Sequence, residues 1–300
     1  GIQWQNTIGG SDRDYFNIIN PTQDGGFICG GESISDISGD KTGACQGNYD
    51  YWVLKLDEFG NIEWQNTIGG DGWEKFQAIS QTSDGGYICG GWSESGISGD
   101  KTEASQGNRD FWIVKLDANG NIQWQNTIGG SLSDELNHIL QTSDGGYICG
   151  GDSWSGISGD KAEASQGQSD FWLLKLDAIG NIQWQNTIGG NYTEYFLTLS
   201  QTSDGGYICG GGSHSDISGD KTEANLGYAD YWIIKLDSIG NIQWQNTIGA
   251  SNNDWLNQIS QTSDGGYICG GYSDSGINGD KTEATQGWND FWIIKLDANG

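Results

Sequence analysis

An all-β chain built from one sheet repeated five times follows from three features of the sequence. The first is a strict repeat. IQWQNTIG begins at Ile2 and recurs at Ile122, Ile182 and Ile242, with IEWQNTIG at Ile62, always 60 residues apart and without insertion or deletion. Five copies, approximately 1–60, 61–120, 121–180, 181–240 and 241–300, fill residues 1–300 and define a single domain. The second is composition: 51 Gly and no Met disfavour long helices. The third is punctuation by two Gly-containing turns per copy, where Gly supplies the positive φ that hairpins require.

The second copy shows the elements in order. Phe76 to Thr82 reads as the first strand, and Ser83-Asp84-Gly85-Gly86 as a hairpin turn into the second, Tyr87 to Gly91. A polar stretch from Ser93 to Arg109 leads to the third strand, Asp110 to Leu116, rich in aromatic and β-branched residues. Asp117-Ala118-Asn119-Gly120 turns the chain into the fourth, Asn121 to Ile128, where Ile122, Trp124, Asn126 and Ile128 share one face by alternation. Four antiparallel strands repeated five times read as a β-propeller.

Closure of the ring is expected from the register. Residues 1–300 begin inside the fourth strand (Gly1 to Gly10) and end after the third (Phe291 to Gly300). The N-terminal strand should therefore pair with Asp290 to Leu296 and complete the last blade, leaving no free sheet edge. An open array would need altered terminal repeats, yet the first and last copies resemble the middle ones.

Charge excludes several partners. With 13 basic against 40 acidic residues the net charge is −27, the wrong sign for a nucleic-acid backbone or an anionic membrane surface. No apolar run approaches the roughly 18 residues of a membrane-spanning helix, so no membrane insertion is expected.

The string QTSDGGYICGG, a Ser/Gly-rich loop, and then DFWIIKLDANGNIQWQNTIGG resembles the propeller-type repeats of secreted and surface proteins of Bacteroidetes, which are associated with type IX secretion. The likeness covers the whole chain. It implies an extracellular or cell-surface β-propeller and no single chemistry, because function lies in sites and not in folds.

Comparing the five copies separates framework from variation. Ten of the 15 Trp are periodic, among them Trp64, Trp124, Trp52 and Trp112, and read as packing between blades. Asp50, Asp110, Asp170, Asp230 and Asp290 are expected to accept loop backbone hydrogen bonds, and Asp84 and its equivalents to brace the hairpin turn. Variation falls in the link from strand four to strand one and in the loop from strand two to strand three, which emerge at one end of each sheet. Trp73, Trp92, Trp154, Trp255 and Trp288 lie there, with Tyr15, Tyr49, Tyr192, Tyr195, Tyr228 and Tyr272. Asp71, Glu94, Asp134, Asp152, Glu194, Asp216, Asp254 and Asp274 lie alongside. Aromatic faces beside carboxylates suit sugar rings, and Trp and Tyr also anchor protein interfaces.

Catalytic chemistry is not expected. His138 and His214 occupy non-equivalent positions, which opposes a His metal site or a Ser-His-Asp triad, and no cofactor is read. Asp100, Glu103 and Asp110 are weak calcium candidates without an EF-hand pattern. Cys29, Cys89, Cys149, Cys209 and Cys269 share one strand position and read as small buried apolar residues, while a Cys29–Cys45 bridge stays open. The expected function is a non-enzymatic, lectin-like binding module for a glycan or surface protein. The alternative is a structural subunit of a surface layer, adhesin or filament, self-assembling through the same loops.

Overall fold

The computed structural model describes residues 1–300, and none of them is helical. In the first sheet β1 (Asp14–Pro21), β2 (Phe27–Ser33), β3 (Asp50–Leu56) and β4 (Ile62–Ile68) lie side by side in chain order. The second holds β5 (Glu74–Gln81), β6 (Tyr87–Ser93), β7 (Asp110–Leu116) and β8 (Ile122–Ile128). The third holds β9 (Asp134–Gln141), β10 (Tyr147–Ser153), β11 (Asp170–Leu176) and β12 (Ile182–Ile188). The fourth comprises β13 (Glu194–Gln201), β14 (Tyr207–Ser213), β15 (Asp230–Leu236) and β16 (Ile242–Ile248). The fifth has only β17 (Asp254–Gln261), β18 (Tyr267–Ser273) and β19 (Asp290–Leu296). The pairs in the first, second, fourth and fifth sheets are antiparallel, with a recurring bulge between the first two strands, as between Phe76 and Ala78.

Two compact units form: Gly1–Tyr147 with Ser158–Asp160 and Asp177–Asn181, and Ile148–Ile157 with Lys161–Leu176 and Ile182–Gly300. In the first unit the core gathers Tyr51, Val53, Phe76, Ile79, Trp112 and Val114; in the second it gathers Ile208, Tyr231, Ile233, Leu256, Ile259 and Tyr267. Second and third strands such as β6 and β7 are buried along their whole length, which explains their unbroken apolar runs. The fourth strands are only half-buried and keep their alternation.

Repeating side chains fasten each sheet to the next. Trp64 packs edge-on to Tyr87 with centroids 5.7 Å apart and donates through Nε1 to the Ala118 carbonyl at 3.1 Å. Asn66 donates to the Gly120 carbonyl, and the Tyr51 hydroxyl to the Trp112 carbonyl at 3.2 Å. The first glycine of ICGG makes this approach feasible, and the second fits the bulge within its own sheet. A Cβ on Gly30 would stand 2.2 Å from the Phe76 ring, and one on Gly91 only 1.8 Å from the Lys75 carbonyl oxygen at the bulge.

The expected N-terminal strand is corrected. Gly1–Gly10 forms no strand, and β19 pairs with β18 alone, so the last sheet is not completed and no closed ring is formed. Ile2–Ile8 is nevertheless held on the first sheet by side chains: Trp4 Nε1 donates to the Glu58 carbonyl at 3.1 Å and Asn6 to the Gly60 carbonyl. A ladder needs a second backbone alongside, and none lies there. Burial records the same fact in each unit. Phe16 is 66% exposed where Phe76 is fully buried, and Phe291 is 91% exposed where Tyr231 is fully buried. A cavity of about 310 Å³ lined by Trp4, Ile8, Phe16, Ile19, Cys29 and Trp52 marks the uncovered face of the first sheet.

Candidate ligand-binding face

The variable segments are brought together by backbone bonds. The loop before each third strand is stitched to the link before the next first strand, with Asn48 N–H on the Gly72 carbonyl at 2.7 Å and Glu74 N–H on the Tyr49 carbonyl at 2.7 Å. Glu94 N–H donates to the Trp73 carbonyl at 3.0 Å. Side chains from two successive sheets therefore meet at one end.

In the first unit they form an aromatic row. Tyr15 meets Tyr49 at 5.8 Å, Tyr49 meets Trp73 at 5.4 Å, and Trp73 meets Trp92 at 5.5 Å. Arg109 closes the row, its guanidinium 4.3 Å from the Trp92 ring centre, held by Glu94 at 3.0 Å and Glu135 at 2.6 Å. Trp92 is buried and Trp73 half-buried, so these two support the row from beneath while Tyr15, Asp71 and Glu94 reach solvent. The Asp71 carboxylate accepts from the Ser98 hydroxyl at 2.7 Å.

A second cluster stands in the second unit. Tyr195, His214 and Trp255 lie within 5.9 Å of one another by ring centres, and Tyr228 joins at 5.7 Å from His214. His214 Nδ1 meets the Tyr228 carbonyl at 2.8 Å, which makes that nitrogen the donor. Tyr192, Tyr228, Asp216 and Trp288 are exposed, Trp288 at 94%. Tyr272 is the register partner of Trp255, Asp274 accepts from Asn253 N–H at 2.7 Å, and Trp154 is half-buried in its loop.

Four carboxylates expected on this face lie inside instead. Glu194, Asp134, Asp254 and Asp152 are buried. Glu194 accepts from Gly190 N–H and the Ser213 hydroxyl, both at 3.1 Å, and Asp152 accepts from Phe196 N–H at 2.6 Å. For Asp134, Glu194 and Asp254 the missed signal was periodicity, since Asp14, Glu74, Asp134, Glu194 and Asp254 repeat every 60 residues, whereas Asp152 stands at a varying position and carries no such signal. Sequence reasoning also passed over Arg109 and His214 as members of the aromatic clusters.

The calcium candidates diverge. Asp100 accepts from Gln46 and Gly69 N–H, Glu103 from Thr127 N–H at 2.8 Å, and Asp110 from Gln106 N–H. No three carboxylate, imidazole or thiol groups converge as a metal site would require. All six cysteines are free, and burial pushes the Cys89 thiol up to about 12 and the half-buried Cys45 thiol up to about 11. At the opposite end the hairpin turns hold as expected: Asp84 accepts from Thr82 and from Gly86 N–H at 3.0 Å and meets buried Lys115 at 3.0 Å. Against the burial that would raise it, these partners lower the Asp84 carboxyl to about 2.

No known protein family matches the chain, and no curated protein is detectably similar to it in sequence. Likeness appears in structure. A protein of unknown function from Dyadobacter fermentans is 10% identical, with a TM-score of 0.56 over 97% of this chain and 81% of its own. Another of unknown function from Bacteroides caccae is 9% identical, with a TM-score of 0.47 over 96% and 79%. The hydrazine synthase of Kuenenia stuttgartiensis is 11% identical, with a TM-score of 0.49 over 89% and 76%. At such identity likeness speaks for the fold alone. The chain is thus an all-β protein of repeated antiparallel sheets. Its structural neighbours mix Bacteroidetes proteins without assigned function and enzymes.

Proposed function

We propose that the chain is a non-enzymatic, extracellular binding module whose sheets close into a five-bladed propeller and whose variable face takes a glycan. One observation carries the reading: aromatic side chains from the varying positions gather into two clusters, and of the carboxylates on the same variable segments Asp71, Glu94 and Asp216 are exposed and Asp274 is half-exposed. Indole and phenol rings stack on the apolar faces of sugars while Asp71, Glu94, Asp216 and Asp274 pair with hydroxyls. Repeated weak contacts on one scaffold then add by avidity. Glycan-array binding with quenching of Trp fluorescence tests it. Trp288→Ala and Tyr228→Ala should each weaken binding at least about tenfold, the loss of one stacking contact of about 1.4 kcal/mol, without lowering stability. An array with no binder sinks the reading.

The uncovered faces of the first and last sheets favour a second reading, a structural subunit that passes Ile2–Ile8 to the next copy in a head-to-tail filament. Both readings use the same register: Ile233 opposes Asn246, so Ile293 would oppose Asn6. Cysteines at Asn6 and Ile293, in a Cys45→Ser background, would link within one chain if the ring closes and between chains if a filament grows.

A further inference from the structure

We propose that Asp50–Glu74 and Asp170–Glu194 are proton-binding sites: at each of these seams two buried carboxyl groups share one proton, and losing it loosens the seam. Asp50 opens β3, where Oδ2 accepts from Gln46 N–H at 2.6 Å while Oδ1 is buried and receives no N–H or O–H donor. Facing it, Glu74 opens β5 of the next sheet and is fully buried. Glu74 is richly served, with Oε1 accepting from the hydroxyls of Ser93, at 2.8 Å, and Ser95, and Oε2 from Gly70 N–H at 3.1 Å.

Backbone bonding sets the two side by side, Glu74 N–H donating at 2.7 Å to the carbonyl of Tyr49, the residue before Asp50, and the two carboxyl groups interact there. Carboxylates only accept, so a bond between them demands a proton. Glu74 already accepts from three donors while Asp50 Oδ1 accepts from none, so the proton belongs on Asp50. The second site repeats this. Asp170 gives Oδ2 to Gln166 N–H, leaves Oδ1 buried without a donor, and faces Glu194. The longer glutamate closes the gap. Asp230, which faces the shorter Asp254, is raised by burial and by that charge to about 6, with no bond between the two carboxyl groups.

The surrounding charges are few. Lys41 and the Cys45 thiol face Asp50 from the preceding loop, and Lys101 and Tyr51 face Glu74. Lys221 faces Glu194. Burial, with the neighbouring glutamate adding to it, pushes Asp50 and Asp170 each up to about 7. A carboxyl raised in the folded state stabilises fully below its unfolded value of about 3.9, and the contribution drains away as pH rises through about 7.

The test compares the wild-type chain with an Asp50→Asn/Asp170→Asn variant, in which each amide mimics the protonated acid. Between about pH 4 and pH 7 the wild-type unfolding constant should rise by up to about tenfold per pH unit for each pair. The variant should lose the part of that slope owed to the two pairs and keep the part owed to Asp110 and Asp230, which burial also raises to about 6. Infrared spectra at about pH 6 should show more protonated carboxyl absorption in the wild type than in the variant. An unchanged slope in the variant, or no excess of protonated carboxyl in the wild type at that pH, overturns the proposal. So does a rise in wild-type melting temperature on adding calcium that the variant lacks, because the pairs would then bind a cation. Should that variant fail to fold, the single Asp50→Asn and Asp170→Asn chains are each compared with the wild type in the same infrared titration, and the absence of a loss in both overturns the proposal.

Discussion

Replacing Gly30 with alanine puts a methyl group 2.2 Å from two carbons of the buried Phe76 ring, well inside van der Waals contact. Relief requires the ring or the sheets to shift by more than an ångström, and such overpacking costs about 1–3 kcal/mol. The equivalent Gly90 faces Leu136 instead: its nearest neighbours are the Trp112 carbonyl at 3.1 Å and Leu136 Cδ2 at 3.4 Å. Gly90→Ala should therefore cost about 1 kcal/mol or less, offset in part by the unfolded-state entropy that alanine removes. Phe76→Ala alone should cost about 3–5 kcal/mol through its cavity. In the double variant the methyl fills part of that space, so the two losses should fall short of their sum by about 1–2 kcal/mol. Urea titrations followed by near-ultraviolet circular dichroism measure each midpoint and slope. Equal costs for Gly30→Ala and Gly90→Ala, or strict additivity with Phe76→Ala, would refute the claim that the first glycine of ICGG exists to admit the next sheet.

Other expectations follow from single contacts. Asp24, Asp84, Asp204 and Asp264 have lowered carboxyl pKa values, so their stabilisation is present above about pH 4 and is lost as pH falls through that range; acid titration of the native circular dichroism signal should show this limb, opposite in sign to that of Asp50 and Asp170. Asp84→Ala should cost about 1–2 kcal/mol in thermal unfolding, since the carboxylate is half-exposed but its loss removes the counter-charge of buried Lys115, which keeps only the Leu116 carbonyl and Gln123 Oε1 as acceptors. Arg109→Ala should change stability by about 1 kcal/mol or less yet shift Trp emission, because the stack on Trp92 is removed. Thiol labelling of the native chain should be slow throughout, with half-buried Cys45 first and Cys29, which lines the cavity on the first sheet, next; rapid labelling of Cys89 or Cys149 would contradict the packing described.

Most strand positions could be read from the sequence because local signals and tertiary demand agree. Asp110–Leu116 was bounded to the residue, since its aromatic run and the DxxG turn after it leave no other assignment. The first strand starts two residues earlier than its apolar pattern, at Glu74, because a buried acid looks like a loop residue until its donors are known. The same blindness placed Glu194 and Asp152 on the binding face. Pattern recognises burial by hydrophobicity, and these groups are buried through hydrogen bonds. The pairing of Ile2–Ile8 failed for another reason. Its sequence equals that of Ile122–Ile128, but a strand is a property of two backbones, and sequence identity supplies only one.

The fasteners from Trp64 to Ala118 and from Asn126 to Gly180 each span 54 residues, as do those from Trp4 to Glu58 and from Asn246 to Gly300. Every such bond lies within one 60-residue copy while joining two neighbouring sheets, so one copy's interlock is interchangeable with another's. Unequal crossing-over between the near-identical coding segments can therefore lengthen or shorten the array by whole copies while every remaining seam finds its usual partners. Selection is then left to act on the tips, where a newly duplicated copy is free to diverge.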